Sequence, residues 1–581
     1  MNNKGVAIRY GDVAPEAKEN FYPESSEKAF DTLSQLQQYN LNFPNYANPC
    51  ELYSVVLDGT ATAFPSVPEQ ANLGLWSEQI SNDDGKFAEP IVLTLTANGQ
   101  YSSQGITLTF DTYNNIFCNY LNIKWYRGGQ LIVDGGKAMD VDFYPDNAFY
   151  FCRNQVNNYD KVVITFYSIN MPKNRLKLRV IDYGYGTFFY GDELRGVKLI
   201  QEIDPISTQI SINTADFTLD SKTDMEYSFQ AKQPLSVYFN GQLKATTFVK
   251  SSKRKARFLW DIQSEDYIGL MDSIPYYGGI YTNKKAVDIL TDIFKVAKVP
   301  YNIDEVFADA IVTGYIPYTT CRDALMQVAF AIQAVVDTSN SDVVNVFALE
   351  ENFKQTIPLN RIKQGQNFAD EETVTGVEVA VHAYKPIIET IDVYDANESG
   401  TGENIFVRFS EPLHDLSITN GTIVSNGTNY AVINANAGCI LKGQQYEHTT
   451  QTRRQNCEDV GANTIEKVVA VDNATLVSQY NIDNVIEKCY NWLIKTNTVN
   501  LDIVEGKHIQ YGEPYKYGEK KYGTFKYAEK HPNIVTYDEP VNVGDKINAE
   551  TEYLGVVQEK INIKQTFSLN GNIIVKKAVL K

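Results

Sequence analysis

Short runs of β-branched and aromatic residues, separated by turn residues, recur along most of this 581-residue chain. Such runs are typical of β-strands, and tyrosine and phenylalanine, present in 38 and 28 copies, favour strands as well. A chain of this length exceeds what one hydrophobic core can hold, so we expect about three to five domains. The sequence therefore predicts a mainly β, multidomain fold.

Helical periodicity interrupts the strand pattern in three places. The strongest case is the segment 320–336, where apolar residues recur with the spacing of one helix face. This apolar stripe consists of Leu325, Val328, Ala329, Ile332 and Val336. Thr320 and Asp323 form a start signal for the helix, and a buried strand is predicted to follow at 343–349. Two further helices are predicted, at 283–298 and 483–495.

The order of these patterns divides the chain into six segments. They are an N-terminal arm (1–48), a β-sandwich (49–190), a first β module (191–261), a small α/β lobe (262–350), return strands of the first module (351–400) and a second β module (401–581). The second module contains a helix at 482–495 and a tyrosine-rich loop at 511–527. The polar arm is interpreted either as a segment that docks on another subunit or as a loose terminus.

The net negative charge of the chain limits the kinds of partner that it can bind. Its formal net charge is −19 at pH 7, whereas proteins that grip phosphate backbones need clustered lysine and arginine. We therefore expect no sequence-specific binding of nucleic acid. One short basic run, at 250–257, favours a solvated loop between two strands over an anion contact. No segment resembles a signal peptide or an apolar membrane span, so we expect no membrane anchor.

The sequence lacks the familiar patterns of catalysis and metal binding. The five histidines have no zinc-ligand spacing, and no H-E-x-x-H, G-x-S-x-G or phosphate-binding glycine loop occurs. We therefore predict no catalytic, cofactor-binding or metal-binding residues and no enzymatic activity, although paired carboxylates of the glycosidase type need not be close in sequence. Asp83 and Asp84 favour a solvated turn over a calcium site. The seven scattered cysteines favour reduced, buried thiols, with a Cys118–Cys152 bridge as the alternative.

A low-complexity stretch at 511–527 alternates tyrosine and glycine with lysine and glutamate. Its aromatic residues are the candidate site residues of the chain, namely Tyr511, Tyr515, Tyr517, Tyr522, Phe525 and Tyr527. Aromatic side chains of this kind stack on bases or sugars, and they are also enriched at protein interfaces. We favour the second interpretation and predict a strand–turn element that packs on another subunit.

The segment 50–190 resembles the galactose-binding-like sandwiches of the discoidin type. The matching stretches are residues 74–77, 105–110, 159–166 and 175–180. This resemblance implies a β-sandwich fold more than it implies a particular sugar.

Residues 197–581 resemble the tail-hub, or baseplate-hub, proteins of tailed bacteriophages and of contractile phage-tail-like particles. The stretches that carry the resemblance are, in order, 206–261, 321–325, 343–349, 473–478 with the helix that ends at 493, 543–547 and 569–571. The resemblance implies small β-barrel-like modules with an inserted α/β lobe. It also implies a homotrimer whose duplicated modules form a ring between the tail tube and the tail tip. The chain departs from a bare hub by carrying the sandwich, and it has no recognisable lytic domain after the hub.

The resemblance implies a structural virion protein of the tail tip or baseplate, made in the bacterial cytoplasm. Such a protein would take part in host attachment and in the passage of the genome or the tube. The partners implied are further copies of the chain, tail-tube or distal tail proteins, and spike, fibre or other tail-tip proteins. An acidic lumen would let DNA pass without adhering, because like charges repel. The alternative is a carbohydrate-binding or carbohydrate-active tail protein that acts on host surface or cell-wall glycans.

Overall fold

The structure, a computed structural model, divides into two compact units. The first consists of Met1–Leu194 with Met225–Lys244, and the second of Arg195–Asp224 with Ala245–Lys581. Both are built mainly from β-strands, which confirms the predicted mainly β, multidomain fold class. The structure describes residues 6–13, 17, 20–27, 48–49, 63–64, 74–111, 114–221, 229, 231–239, 242–349, 353–362, 367–370, 372–396, 403–457, 465–472, 474–495, 497–503, 506–511, 532–537, 541–551, 555–570 and 573–581. Within these ranges no helix is long and apolar enough to cross a membrane.

The first unit is an assembly of strands around a large buried core. Its strands are Val6–Val13, Phe21–Ser25, Asn48–Pro49, Ala63–Phe64, Leu75–Trp76, Lys86–Phe110, Cys118–Arg127, Gln130–Leu131, Val133–Asp134, Lys137–Ala138, Asp140–Phe143, Phe149–Ile169, Lys177–Asp182, Gly184–Tyr190 and Pro234–Phe239. A short 3-10 helix, Gly191–Glu193, follows Gly184–Tyr190.

The N-terminal residues belong to the sheets of this unit. Val6–Val13 pairs antiparallel with both Gly184–Tyr190 and Pro234–Phe239, and Phe21–Ser25 pairs with Lys86–Phe110. The prediction of a separate arm at 1–48 is corrected accordingly. Its described apolar residues, among them Ile8, Tyr10 and Phe21, are buried, because the strands that carry them pair with other strands of the same chain. Pro234–Phe239, which the sequence assigned to the first β module, also belongs to this unit.

Two long bent strands, Lys86–Phe110 and Phe149–Ile169, organise the first unit. They pair antiparallel along their length, with register shifts between Arg153 and Lys161. Gly105 has a φ of 150°, and an added Cβ would lie 2.3 Å from a backbone carbonyl oxygen, so glycine is required at this bend. The sequence pattern predicts two strands in each of these segments, at 90–96 and 105–110 in the first and at 148–152 and 161–167 in the second, because bulge residues look like turn residues.

Because the two long strands bend, the two halves of one strand can pair with different neighbouring strands. The first half of Lys86–Phe110 pairs with Phe21–Ser25 and the second half with Lys177–Asp182, while Phe149–Ile169 also pairs with Cys118–Arg127. The strands enclose one buried core, in which Cys118 and Cys152 are free thiols. The predicted likeness to galactose-binding sandwiches is not confirmed by this arrangement.

The second unit contains a main sheet, a small lobe and a separate sheet. Its strands are Leu194–Glu202, Thr214–Asp220, Gln242–Ala256, Leu259–Glu265, Pro275–Tyr276, Gly279–Lys285, Tyr301–Ile303, Ile311–Ile316, Thr319–Thr320, Val335–Asp337, Val344–Phe347, Phe353–Ile357, Asn367–Asp370, Gly376–Asp395, Asn404–Arg408, Leu413–Asn426, Tyr430–Asn456, Val468–Val471, Asn497–Ile503, Gly506–Tyr511, Pro532–Tyr537, Lys546–Thr551, Gly555–Asn570 and Ile573–Leu580. Its helices are α1 (Tyr267–Met271), α2 (Ala286–Ala297), α3 (Cys321–Ile332) and α4 (Ile482–Leu493), with 3-10 turns at Glu305–Phe307 and Leu359–Arg361.

The main sheet joins strands from the beginning and the end of the second unit. In spatial order it runs Gln242–Ala256, Leu259–Glu265, Thr214–Asp220, Leu194–Glu202, Gly555–Asn570, Ile573–Leu580, Asn497–Ile503 and Asn367–Asp370. Leu199 pairs with Phe567 across the line where early and late strands meet, and both side chains are buried. The Asn-Gly pair at 570–571 predicts a hairpin, and the pairing of Asn570 with Ile573 confirms it. Residues 571 and 572 lie outside the described ranges.

The basic run at 250–257 is mostly strand, since Gln242–Ala256 extends through it. Lys250 forms an ion pair of 2.6 Å with Glu265, and Lys255 pairs with Asp261 on the neighbouring strand. The prediction of a loop is therefore wrong. Carboxylates on the partner strand offset the basic charges and allow the ladder to continue.

Helix α3 starts as predicted but ends earlier than its predicted span of 320–336. Its start is confirmed, because the Thr320 hydroxyl accepts a hydrogen bond of 3.1 Å from the Asp323 amide. Leu325 is fully buried in the lobe core. The helix stops at Ile332, since Gln333 adopts a left-handed φ of 62°. Residue 336 instead lies in the strand that follows, and its burial produced the apparent helical stripe.

The other two predicted helices are shorter than expected. Helix α2 starts at Ala286 rather than at 283, because Gly279–Lys285 pairs as a strand with Ile311–Ile316. Lys298 in the left-handed region ends it. Helix α4 covers Ile482–Leu493 of the predicted 482–495.

A five-stranded sheet extends from the region around α4. It contains Asn404–Arg408, Tyr430–Asn456, Gly376–Asp395 and Val468–Val471, and Leu413–Asn426 pairs with Tyr430–Asn456. The predicted boundary at residue 400 divides this sheet and is corrected, because Gly376–Asp395 pairs with Tyr430–Asn456 over nearly its whole length.

Candidate functional site

The predicted interface residues of the tyrosine-rich loop lie almost wholly outside the described residues. Tyr511 ends the strand Gly506–Tyr511, which pairs antiparallel with Pro532–Tyr537. The remaining five, Tyr515, Tyr517, Tyr522, Phe525 and Tyr527, are not among the residues that the structure describes. The flanking strands form the hairpin arms that a strand–turn element requires, and the interface itself stays a prediction.

A histidine cluster, formed by His382, His448 and Asp472, connects the five-stranded sheet with the segment before α4. His382 is 5% exposed, and its Nδ1 lies 3.0 Å from Nε2 of His448 while its Nε2 lies 3.1 Å from Oδ1 of Asp472. The His448 ring stacks on Tyr384 with centroids 4.4 Å apart. The His382 backbone amide donates to the carbonyl oxygen of Val477 at 2.8 Å. The cluster therefore ties a strand to a loop through both side chain and backbone.

Burial lowers the pKa of His382, and this effect outweighs the opposing influence of Asp472. The imidazole is held neutral at neutral pH. Its two nitrogens serve different partners and do not converge on one point, so the cluster has the geometry of a hydrogen-bonded relay rather than of a metal centre. Among the described residues, no group of three or more His, Cys, Asp or Glu side chains could hold a metal ion.

A lysine pocket of about 530 Å³ lies beside α4. Its lining includes Lys488 and Trp492 of the helix, Lys495 beyond the helix end, and Lys546 and Glu559. Lys546 and Glu559 form an ion pair of 3.3 Å. Three lysines thus line the pocket against two glutamates, Glu487 and Glu559, although the chain as a whole is acidic.

Lys488 is the unusual group of the lysine pocket. Its ammonium donates to the carbonyl oxygen of Gln333, the residue that ends α3, and so connects α4 with the lobe. Burial lowers the pKa of Lys488 to about 8, although the nearby Cys489 and Asp204 oppose this effect. A lysine of this kind carries a sizeable fraction of neutral amine near neutral pH, the form that acts as a base or a nucleophile.

Aromatic side chains join the lobe to the five-stranded sheet. Tyr277 packs on Tyr430 with ring centroids 4.4 Å apart, and Tyr430 stacks on Phe406 at 5.5 Å. The Arg408 guanidinium lies over the Tyr318 ring at 4.4 Å and donates to the Tyr318 carbonyl oxygen at 3.2 Å. Tyr277 and Phe406 remain about four-tenths exposed, so this aromatic cluster presents part of its surface to solvent.

Sequence reasoning missed these groups because their members are far apart in the chain. His382 and His448 lie on two paired strands, and only the register brings their rings together. Lys488 sits on the border of an amphipathic helix, where a lysine is ordinarily solvated. By sequence, His382 is out of phase with the apolar alternation of Val377, Val379 and Val381, so no local signal marked it as buried.

Comparison with known proteins gave similarities in structure alone. No protein-family model matches the sequence, and no curated protein sequence matches it either. The 43 kDa tail protein of prophage MuSo2 from Shewanella oneidensis is 8% identical with a TM-score of 0.40, covering 67% of this chain and 97% of its own. A tail protein from Neisseria meningitidis MC58 is 10% identical with a TM-score of 0.40, covering 68% and 93%. The prophage tail protein gp18 from Listeria monocytogenes EGD-e is 11% identical with a TM-score of 0.35, covering 68% and 90%.

Proposed function

We propose that this chain is a structural protein of a phage tail or of a contractile tail-like particle, where it acts as the hub that joins the tail tube to the tip. In this proposal the chain forms a homotrimer and contacts tail-tube or distal tail proteins on one side and spike, fibre or other tail-tip proteins on the other. It is made in the bacterial cytoplasm, and it takes part in host attachment and in the passage of the genome or tube.

The observation that best supports this proposal is the pairing of early strands with late strands in the second unit. Strands near its start pair with strands at its end, at Leu199 and Phe567, while the lobe and the five-stranded sheet are inserted between them. The sequence resemblance to tail hubs implies small β-barrel-like modules with an inserted α/β lobe, and the insertion of the lobe between paired strands supports the proposal in that respect. A framework closed in this way keeps the inserted parts in fixed positions, as an adaptor between neighbouring proteins requires.

We propose further that the chain has no enzymatic activity of its own. The histidine cluster has no described nucleophile in good hydrogen-bonding geometry, since the Thr450 hydroxyl lies 3.4 Å from His448 Nε2. Any cleavage of peptidoglycan during infection would then come from another chain of the particle.

Two measurements test the proposal. Light scattering after size exclusion should give a mass of three times 65.5 kDa for the purified full-length chain. Cryo-electron microscopy of the assembled particle should locate the chain on the tail axis between tube and tip. A chain found only in peripheral fibres would contradict the hub assignment, and turnover of cell-wall glycans by the purified chain would contradict the absence of enzymatic activity.

A further inference from the structure

Three tyrosines stack on the outer face of the sheet in the first unit. Tyr120 lies between Tyr144 and Tyr167, with ring centroids 5.1 Å from the first and 4.6 Å from the second and interplanar angles of 6° and 19°. The rings point outward, because their sequence neighbours Leu121 and Phe166 are buried on the opposite face. We call this group the tyrosine stack.

Tyr144 closes the stack at the edge of the sheet. It directly follows Asp140–Phe143, which is the terminal strand in the pairing order of the described strands. Its side chain is 66% exposed, so the ring face turned away from Tyr120 is open to solvent. Stacking on Tyr120 holds the ring in place before any ligand arrives, which reduces the entropy lost on binding.

Polar groups of fixed orientation lie beside the rings. The Asn122 side-chain amide donates to Oδ1 of Asp140 at 2.7 Å and to Oδ1 of Asp142 at 3.0 Å. Lys124 forms an ion pair of 3.2 Å with Asp140. Both aspartates are exposed, and their remaining lone pairs can accept hydrogen bonds from a ligand. The face therefore combines an open aromatic surface with hydrogen-bond acceptors that are held by their neighbours.

We propose that the tyrosine stack is a binding site for uncharged oligosaccharides. A pyranose ring packs its apolar C–H face on the open face of Tyr144, while its hydroxyl groups donate to Asp142. The next sugar of the oligosaccharide reaches Asp140, which lies two residues further along the same strand. The negative face of an aromatic ring attracts the C–H groups of a sugar, and carboxylates accept hydrogen bonds from hydroxyls more strongly than neutral groups do. The proposal does not depend on the tail-hub function.

The charge of this face argues against other ligands. Nucleic acids would also stack on tyrosine, but Asp140, Asp142 and Asp146 would repel their phosphates, and Lys124 is already paired with Asp140. A contact between the same faces of two copies is disfavoured for the same reason, because the aspartates of one copy would face those of the other. An uncharged glycan meets neither penalty.

Titration calorimetry with the full-length chain tests the site, using maltohexaose, cellohexaose and N-acetylchitohexaose as probes. We expect binding of at least one probe with little change between low and high salt. Tyr144→Ala should weaken this binding at least about tenfold, because it removes the stacking surface. Tyr144→Phe should retain it, because the ring is kept. Tyr480→Ala is the matched control, since Tyr480 is 71% exposed and lies in the second unit.

Several results would overturn the proposal. One is the absence of binding to all three probes by the wild-type chain. Another is unchanged affinity in Tyr144→Ala, whose folding is checked by its near-ultraviolet circular dichroism. Binding of an anionic polysaccharide alone, with strong salt dependence, would assign a different ligand class. Loss of self-association in Tyr144→Ala, measured by light scattering, would make the stack a contact between copies of the chain.

Discussion

Lys488 provides a quantitative test of how α4 is held in the second unit. Its pKa of about 8 in the folded chain lies below the ordinary value of 10.5, because burial disfavours the ammonium. Between these two values the unfolded chain binds more protons than the folded chain, so stability must rise with pH in this window. The shift corresponds to a cost of about 3 kcal/mol at neutral pH, which disappears as the pH approaches that of the free lysine.

The perturbation is Lys488→Met, which keeps the length of the side chain and removes the titrating group. Urea unfolding at pH 7, 8, 9 and 10, followed by tryptophan fluorescence, measures the free energy of unfolding of both proteins. The wild-type value minus the variant value should increase by about 2–3 kcal/mol from pH 7 to pH 10. Titrations elsewhere in the chain cancel in this difference.

Lys295→Met is the control, because Lys295 lies on the exposed side of α2. Its difference from wild type should stay within about 0.5 kcal/mol over the same range. If Lys488→Met showed the same flat difference as Lys295→Met, the lysine would titrate as a solvated group, and its burial against the end of α3 would be refuted.

Three further perturbations address the lobe and the histidine cluster. Leu325→Ala should lower the free energy of unfolding of the second unit by about 2–5 kcal/mol, measured by urea unfolding. Val296→Ala, at a side chain that is 40% exposed, should change the free energy of unfolding by less than about 0.5 kcal/mol. Equal effects of the two variants would refute the burial assigned to Leu325. Thr320→Ala should lower the free energy of unfolding by about 1 kcal/mol, and Thr320→Ser should leave it near the wild-type value because the hydroxyl is kept. If Thr320→Ser were as unstable as Thr320→Ala, the cap would not act through its hydroxyl. The pKa of His382 is lowered in the folded chain, so the unfolded chain takes up the proton first and the free energy of unfolding should fall as the pH drops below the ordinary histidine pKa. His382→Asn should remove this fall. An identical pH profile of stability in the variant would contradict the role of His382.

Local patterns were enough to predict the start of α3 and the face that it buries. The Thr320 cap and the burial of Leu325 both follow from residues within one or two turns of the helix. The end of the helix was not predictable, because Gln333 is no ordinary signal for a left-handed residue, and the strand at Val335–Asp337 continues the apolar spacing of the helix.

Strand existence was also largely readable from the sequence, whereas strand length was not. Lys86–Phe110 and Phe149–Ile169 each contain two of the predicted strands. A bulge and a turn use the same residue types, and only pairing with a partner strand decides whether the chain continues or reverses. The basic run at 250–257 was predicted as a loop because a short charged run in an acidic chain is usually solvated, whereas pairing with Leu259–Glu265 continues the strand through it.

The sequence by itself determined the mainly β composition, the helix-forming segments, the closing hairpin and the acidic charge. These depend on periodicity, on turn residues and on a sum over the chain, which are all local or additive quantities. The tertiary structure alone decided the pairing of Leu199 with Phe567, the contact of His382 with His448, the lowered pKa of Lys488 and the stacking of Tyr120 on Tyr144. Each of these depends on strand register or on burial between distant segments, and a one-residue change of register would turn the same side chains to the other face of the sheet.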